Sequence, residues 1–522
     1  MQLMRRLILF FISMLMSGVG FANTLKYSMQ PAQIANLSPK SDVVNEYNWR
    51  ADVVGLHRGG VADLPIPRIT SKKPMHLSLK EAILLSLRNN PSIISADLTR
   101  VVDKFAVLVA HNAFEPQYTL SGTATYIKGS NPIYSSQAGV NLKTKMGTTF
   151  GLNYSNTYLG GGGPGATNFS ITQPLMQGFG AQVNLIPWYN ALDTENQARL
   201  TFKGTIMDQV VTIIGNYYQL VQDYQNLAIQ ERTLQDNAET VRQSELRLKV
   251  GQLARSDLVQ QKATYETTKL SLLTQRSSLI SDYQTFLTAL GLNAAAKVSI
   301  DKEISFTQLK VPSLDEAIRL ALKGNIPYQN QLIAIRATER AVITAKDAAR
   351  WQLNLTGSFA ISNTQTQPQF ITVNGVTTVQ TFTVQNTPSL VMQLTIPINN
   401  LQLEQAIVGA EITLEQAKLA LEGAKLALIR QITNEIQQIQ NQILTLKSAE
   451  EQVKYQRESL QAIRIKYRFG RTTTFEMNQI QDQLLSQETS LVSNRVALIN
   501  LIVKLNQDLG LTLEQWCIKL RY

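Results

Sequence analysis

The chain has 522 residues, of which 44% are apolar, 17% charged and 7% aromatic, and its formal net charge is +11. The basic residues are scattered along helix-like stretches with no aromatic interleaving, so the positive balance does not read as a nucleic-acid surface. A single cysteine, Cys517, excludes an intrachain disulfide, and three histidines spread along the chain offer no metal cluster.

Met1 to Ala22 reads as a secretory signal. Arg5 and Arg6 open it, Leu7 to Met16 form the apolar stretch, and Gly20-Phe21-Ala22 supplies a small-residue cleavage site. The apolar run is shorter than the ~20 residues a helical span requires. No later stretch is apolar enough to cross a bilayer as a helix. Residues 23–76 form a polar, proline-bearing extension with no clear period.

The first structural unit is expected over residues 77–311. Leu79 to Phe114 has helical periodicity, broken at Asn89-Asn90-Pro91. From Gln117 to Tyr126 the period changes to two: Tyr118, Leu120, Gly122, Ala124 and Tyr126 alternate with Thr119, Ser121, Thr123 and Thr125. A second strand centred on Phe169 and Ile171 stops at Gln173-Pro174. Between them, pieces near Ala138 to Lys143 and Thr148 to Tyr154 can add a hairpin. A very long helix is then expected from about Gln182 to Val250, turning at Gly251, with a return helix from Ser256 to Leu290.

The plan repeats over residues 312–511, leaving 512–522 as a tail. Glu81-Ala82-Ile83 recurs as Glu316-Ala317-Ile318, and Gln117, Leu120 and Gly122 recur at the same shift as Gln352, Leu355 and Gly357. Pro174 recurs as Pro397, and Gly251 and Gly291 as Gly470 and Gly510, at slightly smaller shifts. Ordered matches with a slowly drifting offset mark a duplicated unit. Its strands are expected at Leu353 to Ser362 and Leu390 to Ile396, with a hairpin at Asn374-Gly375 in the joining loop. From Leu401 to Gly470 runs a proline-free coiled-coil stripe: Leu414, Leu421 and Leu428, then Ile432, Ile436, Ile439, Ile443 and Leu446. Its seventy or so residues make a helix of roughly 100 Å. A return helix from Thr474 to Asp508 follows.

These elements give about four strands per chain, too few to close on themselves. A lipid-facing sheet with open edges leaves backbone groups unpaired in hydrocarbon, at several kcal/mol each, so the sheet must close by association. Three copies give about twelve strands, within the range of outer-membrane barrels. One strand face then meets lipid and the Ser/Thr/Asn face a wet lumen. A soluble sandwich between helices would not explain why both strand pairs sit between the same kinds of helix. No His-Glu-x-x-His, Cys-x-x-Cys or Gly-x-Ser-x-Gly motif is present, and the glycine run at Gly160 lacks the Lys-Ser/Thr of a phosphate loop. No enzyme is read here, and no cofactor. The competing class is a structural coiled-coil or adhesin-like trimer without a conducting lumen, against which the hydroxyl-rich strand faces count.

Over about Leu77 to Leu511 the chain resembles the TolC-type outer-membrane efflux proteins. The resemblance is carried by Leu79-Lys80-Glu81-Ala82-Ile83 with Asn89-Asn90-Pro91 and its copy from Leu314. Gln173-Pro174-Leu175 with Gly178-Phe179-Gly180, and the tips Val250-Gly251-Gln252-Leu253 and Tyr467-Arg468-Phe469-Gly470, complete it. It implies an α+β membrane protein: a trimeric β-barrel in the outer membrane continuous with a helical barrel in the periplasm. Its partners would be a periplasmic adaptor and an inner-membrane transporter, in small-molecule efflux or type I secretion. The resemblance also places an entrance lock on Tyr467 and Asp257. The family's arginine falls here at Thr472, leaving Arg468 or Arg471 to replace it. Glu476 and Gln479 would form a constriction ring favouring cations. Val250, Gly251, Gln252, Leu253, Phe469 and Gly470 would be the tips that meet the adaptor.

Overall fold

A computed structural model describes residues 75–128, 133–159, 165–303, 311–364, 371–373, 376–378 and 383–520. The signal segment, nearly all of the extension and the glycine run at 160–164 lie outside the described residues.

The duplicated plan is present. In the first repeat, β1 (Met75–Leu77), α1 (Leu79–Asn89) and α2 (Pro91–Asn112) precede β2 (Gln117–Thr125), β3 (Ile133–Lys143), β4 (Thr149–Leu159) and β5 (Gly165–Pro174). Then come a single helical turn α3 (Ala181–Asn184), the long α4 (Ile186–Lys249), α5 (Arg255–Ala289) and β6 (Val298–Ile300). The second repeat has α6 (Leu314–Gly324), α7 (Ile326–Ala348), β7 (Gln352–Thr364), the small β8 (Ile371–Val373) and β9 (Val376–Thr378), and β10 (Thr383–Thr395). The longest helix, α8 (Leu401–Arg468), its return α9 (Thr474–Asp508) and a last turn α10 (Thr512–Gln515) complete it.

Local chemistry explains the boundaries. Ser78 and Glu81 cap α1 reciprocally, and Asn90 both ends that helix and caps the next, with Pro91 at its first position. Asn325 does the same for α7 ahead of Pro327. The long helices end in left-handed glycines at Gly251, Gly291, Gly470 and Gly510. Around each, the next amide reaches back five residues, as Gln252 N–H does to the Arg247 carbonyl at 2.8 Å and Arg471 N–H to Lys466 at 2.9 Å.

The core lies where α1 and α6 pack on the long helices. Ile206, Met207, Val210, Ile213, Ile214 and Leu220 of α4 are buried with Phe286 and Leu287 of α5 and Ile83 of α1. Leu428, Ile432, Ile436 and Ile439 of α8 pack with Ala317 and Ala321 of α6 and Leu505 of α9. The two repeats close these cores alike: Gly291 lies against the Asn89 backbone and Gly510 against Gly324, where a Cβ would sit 2.5 Å from a carbonyl oxygen in each case. The connector near 298 also holds a strand that periodicity did not reveal, β6, paired in parallel with β1. Three residues are too few to show a period.

The main sheet has six strands, in the order β10-β7-β5-β4-β3-β2, all antiparallel. The expectation of about four is corrected by the hairpin β3–β4, full-length and inserted between β2 and β5. The expected turn Asn374-Gly375 lies outside the described residues, but the strands on either side of it, β8 and β9, pair as a separate two-stranded sheet. Among the described residues no helix is long and apolar enough to cross a membrane.

Candidate functional site: a two-faced sheet and the helical tips

The six strands share one register, so each cross-strand row can be read straight across the sheet. One row runs Gln117, Asn141, Gly151, Ser170, Ser358, Ser389. The next runs Tyr118, Val140, Leu152, Phe169, Phe359, Pro388. Adjacent rows point to opposite faces. The sheet therefore has one face of hydroxyls and amides and one of aliphatic and aromatic groups. On the polar face the Thr172 and Thr356 hydroxyls lie 3.1 Å apart, and those of Ser358 and Ser389 2.6 Å. On the apolar face Leu120 is 85% exposed, Leu390 75% and Tyr118 68%. An apolar surface of that extent on a single chain marks contact with lipid or with another chain.

The sheet joins the helices through a tight corner. Leu175 N–H donates to the Leu353 carbonyl at 2.8 Å, and Gly178 N–H to a carboxylate oxygen of Asp347 at 2.9 Å. Asn184 donates to the carbonyls of Gly178 and Gly180. This corner is the Gln173-Pro174-Leu175 and Gly178-Phe179-Gly180 stretch singled out in the sequence.

At the far ends of the helices, α4–α5 and α8–α9 form two hairpins tied to each other. The Tyr467 ring is buried, its hydroxyl 3.1 Å from the Ser244 hydroxyl. The Arg247 guanidinium lies 4.3 Å from the centre of that ring and donates to the carbonyls of Tyr467 and Arg468, the latter at 3.0 Å. Further back, Arg464 pairs with Asp236 at 2.5 Å, and buried Gln261 donates to Asn478 at 3.0 Å.

Tyr467 is thus held by Ser244 and Arg247 in the single chain, and its hydroxyl is not on Asp257. Asp257 stands in the first turn of α5, half-buried, where a carboxylate suits the helix dipole. Arg468 and Arg471 are exposed. Thr473 caps α9 by accepting the Glu476 N–H, while the Thr472 hydroxyl donates to the Glu476 carboxylate at 2.5 Å. Glu476 and Gln479 are both exposed, on one side of that helix start. The tips present apolar groups to solvent: Val250 is 68% and Phe469 75% exposed. Sequence reasoning missed Ser244 and Arg247. The one available signal was a basic residue in the last turn of α4, and the partner lies more than two hundred residues away.

Residues 317–511 match the family model of outer membrane efflux proteins. No curated protein matches the chain. Among solved structures, CusC, described as forming a transmembrane channel, is 16% identical, with a TM-score of 0.63 over 86% of this chain and 99% of its own. VceC, an outer membrane protein of Vibrio cholerae, is 16% identical, with a TM-score of 0.62 over 83% of this chain and 96% of its own. The MtrE outer membrane channel of Neisseria gonorrhoeae is 14% identical, with a TM-score of 0.60 over 86% of this chain and 97% of its own. The fold is that of these outer membrane proteins, and the family-model match falls within the second repeat.

Proposed function

We propose that this chain is an outer membrane efflux protein, as its family match and its fold support, and the passive exit duct of a tripartite efflux or type I secretion system. Three copies form a barrel in the outer membrane, and their paired helices continue it as a hollow cylinder into the periplasm. The observation that carries this reading is the division of the sheet, along most of every strand, into a hydroxyl-amide face and an apolar face, with free edges at β2 and β10. A solid stalk has no use for a polar strand face, and an open edge cannot stand in lipid.

The entrance is at the tips. Tyr467 and Asp257, with Arg468 and Arg471, form the lock, and Ser244 and Arg247 hold Tyr467 in its closed position. Exposed Glu476 and Gln479 line the constriction, where three Glu476 carboxylates favour cations. The exposed apolar tip residues Val250 and Phe469, with half-buried Leu253 and with Gly251, Gln252 and Gly470, meet a periplasmic adaptor, and an inner-membrane transporter supplies the energy.

The test is single-channel recording of the detergent-purified oligomer in a planar bilayer, with its mass measured alongside. A trimer giving small, cation-selective openings that lose selectivity in Glu476→Gln supports the duct. A trimer that never conducts, even with Tyr467→Ala and Arg247→Ala combined, contradicts it.

A further inference from the structure

The inserted hairpin β3–β4 belongs to the wall of the sheet, and this changes the size of the barrel. Both strands have 11 residues, comparable with the 9 of β2, the 10 of β5 and the 13 of β7 and β10. The two are paired with each other along their whole length, β3 pairs with β2 over Ile133–Asn141, and β4 with β5 over Thr149–Asn156. Their side chains keep the division of the other strands. Ala138, Val140 and Leu142 stand in rows with Leu120, Tyr118 and Phe150, while Gln137 and Asn141 stand with Ser121 and Gln117.

The hairpin is also built into the base of the sheet. Its turn places the Met146 carbonyl on Gly180 N–H at 3.0 Å, and the Thr148 hydroxyl on the Gln173 side chain at 2.5 Å. Gly147, with a φ of 96°, sits so close to the corner that a Cβ would lie 2.4 Å from the Gly178 carbonyl oxygen. On the polar face, Thr119 and Asn153 close over Gly139, where a Cβ would meet their side-chain oxygens at 2.8 and 2.6 Å. A loose surface excursion would have no such ties.

The two free edges call for a second copy of this chain. β2 is exposed along all nine residues, and β10 is exposed from Val384 to Thr395. As the outermost members of an even, antiparallel sheet, they run in opposite directions, so β2 of one copy can pair with β10 of the next in the same antiparallel sense. The helices flanking these edges carry matching apolar stripes. Leu98, Val102, Phe105 and Val109 of α2, leading into β2, are exposed at alternating steps of four and three. Val408, Ile412, Leu419 and Leu426 of α8, leading away from β10, are exposed at four- and seven-residue steps. Such spacing suits helix-to-helix packing.

From this we infer that each copy contributes six strands to the wall, so that the ring of three closes as a barrel of about eighteen strands rather than about twelve. This rests on the exit-duct reading for the number of copies and for the membrane. Barrel diameter grows roughly linearly with strand number, so the opening is roughly half as wide again. The narrow point of the duct then lies at the tips and not in the membrane.

The experiment uses the full chain in outer-membrane vesicles, with Cys517→Ser as background and one cysteine at a time at adjacent positions. Gln137→Cys and Ala138→Cys probe the inserted hairpin; Ser358→Cys and Phe359→Cys probe β7. Each is labelled with a charged, water-soluble thiosulfonate and with a lipid-soluble maleimide, and the oligomer's mass is measured by native mass spectrometry. The expected result is water-phase labelling at Gln137→Cys and Ser358→Cys, lipid-phase labelling at Ala138→Cys and Phe359→Cys, and a trimeric mass. If β7 alternates while both hairpin positions label from water, the hairpin stands outside the wall. The larger barrel then fails and the duct survives. If neither pair alternates, the duct reading itself fails. A copy number other than three overturns the count.

Discussion

The two repeats agree in their helices and differ in their strands. Each has a helix pair joined at a capping asparagine, a long helix, a left-handed glycine at its tip, and a return helix ending in a glycine that touches the first pair. In the space between their two expected strands, however, the first repeat holds the 11-residue β3 and β4. The second holds the three-residue β8 and β9, which among the described residues pair only with each other. The helical frame tolerates no such divergence, because each repeat buries it in a packed core. Strand number is freer: an antiparallel sheet accepts a hairpin anywhere without changing the direction of the strands on either side.

The sharpest test of that contrast is proline scanning. Asn153→Pro removes an amide from the doubly paired β4, where each unpaired group in hydrocarbon costs several kcal/mol. Loss of the membrane-inserted oligomer is expected on gel filtration. Thr372→Pro, on β8, should leave oligomer yield unchanged. Equal effects would erase the distinction between the two hairpins.

The symmetry of the frame predicts a matched pair of large losses. Gly291→Ala and Gly510→Ala each combine a left-handed backbone, at about 1–3 kcal/mol, with a Cβ that has no room. Both should lower the thermal midpoint by comparable amounts. A marked difference between them would show that one repeat carries the core alone. By contrast, Gly251→Ala and Gly470→Ala at the open tips should pay the backbone cost only, since nothing lies within 4 Å of the added carbon.

At the tips the effects are on conductance. Arg247→Ala removes two hydrogen bonds to carbonyls and the guanidinium over the Tyr467 ring. It should raise single-channel conductance more than Tyr467→Phe, which loses only one hydroxyl contact, about 1 kcal/mol. The reverse order would shift the lock from Arg247 to the Tyr467 hydroxyl.

The smallest expected effect is on stability against pH. Burial, then a neighbouring carboxylate, pushes Asp223 up to about 6 beside Asp282, and Glu435 up to about 7 beside Asp508. Both folded values lie above the unfolded ones, so the folded chain binds more protons. The stabilisation is present at low pH and is lost as pH rises through about 6 to 7. The midpoint of the purified oligomer should fall over that interval, and Glu435→Gln should flatten the fall. A midpoint that rises over the same interval would contradict the assignment.

Much of this was legible in the sequence because it repeats over long stretches. Leu414, Leu421 and Leu428 announce α8 over several turns, and Tyr118 to Tyr126 alternate strictly enough to fix both faces of β2. The inserted hairpin was only half legible. Gly139 and Gly151 blank two positions of its polar face, and Ser136 and Asn156 fall on the apolar one, so the period of two is broken just where the strand continues. The contacts of Tyr467 were not legible at all. Ser244 and Arg247 approach it only after two separate hairpins have packed side by side, and nothing local in either sequence marks the meeting.

Electron cryomicroscopy of the oligomer in lipid nanodiscs shows whether six strands from each copy wall a single water-filled opening. A section through the membrane showing about eighteen strands around an open lumen, with β3 and β4 in the wall, is the result expected here. A ring of about twelve strands with that hairpin outside or folded into the lumen would contradict it.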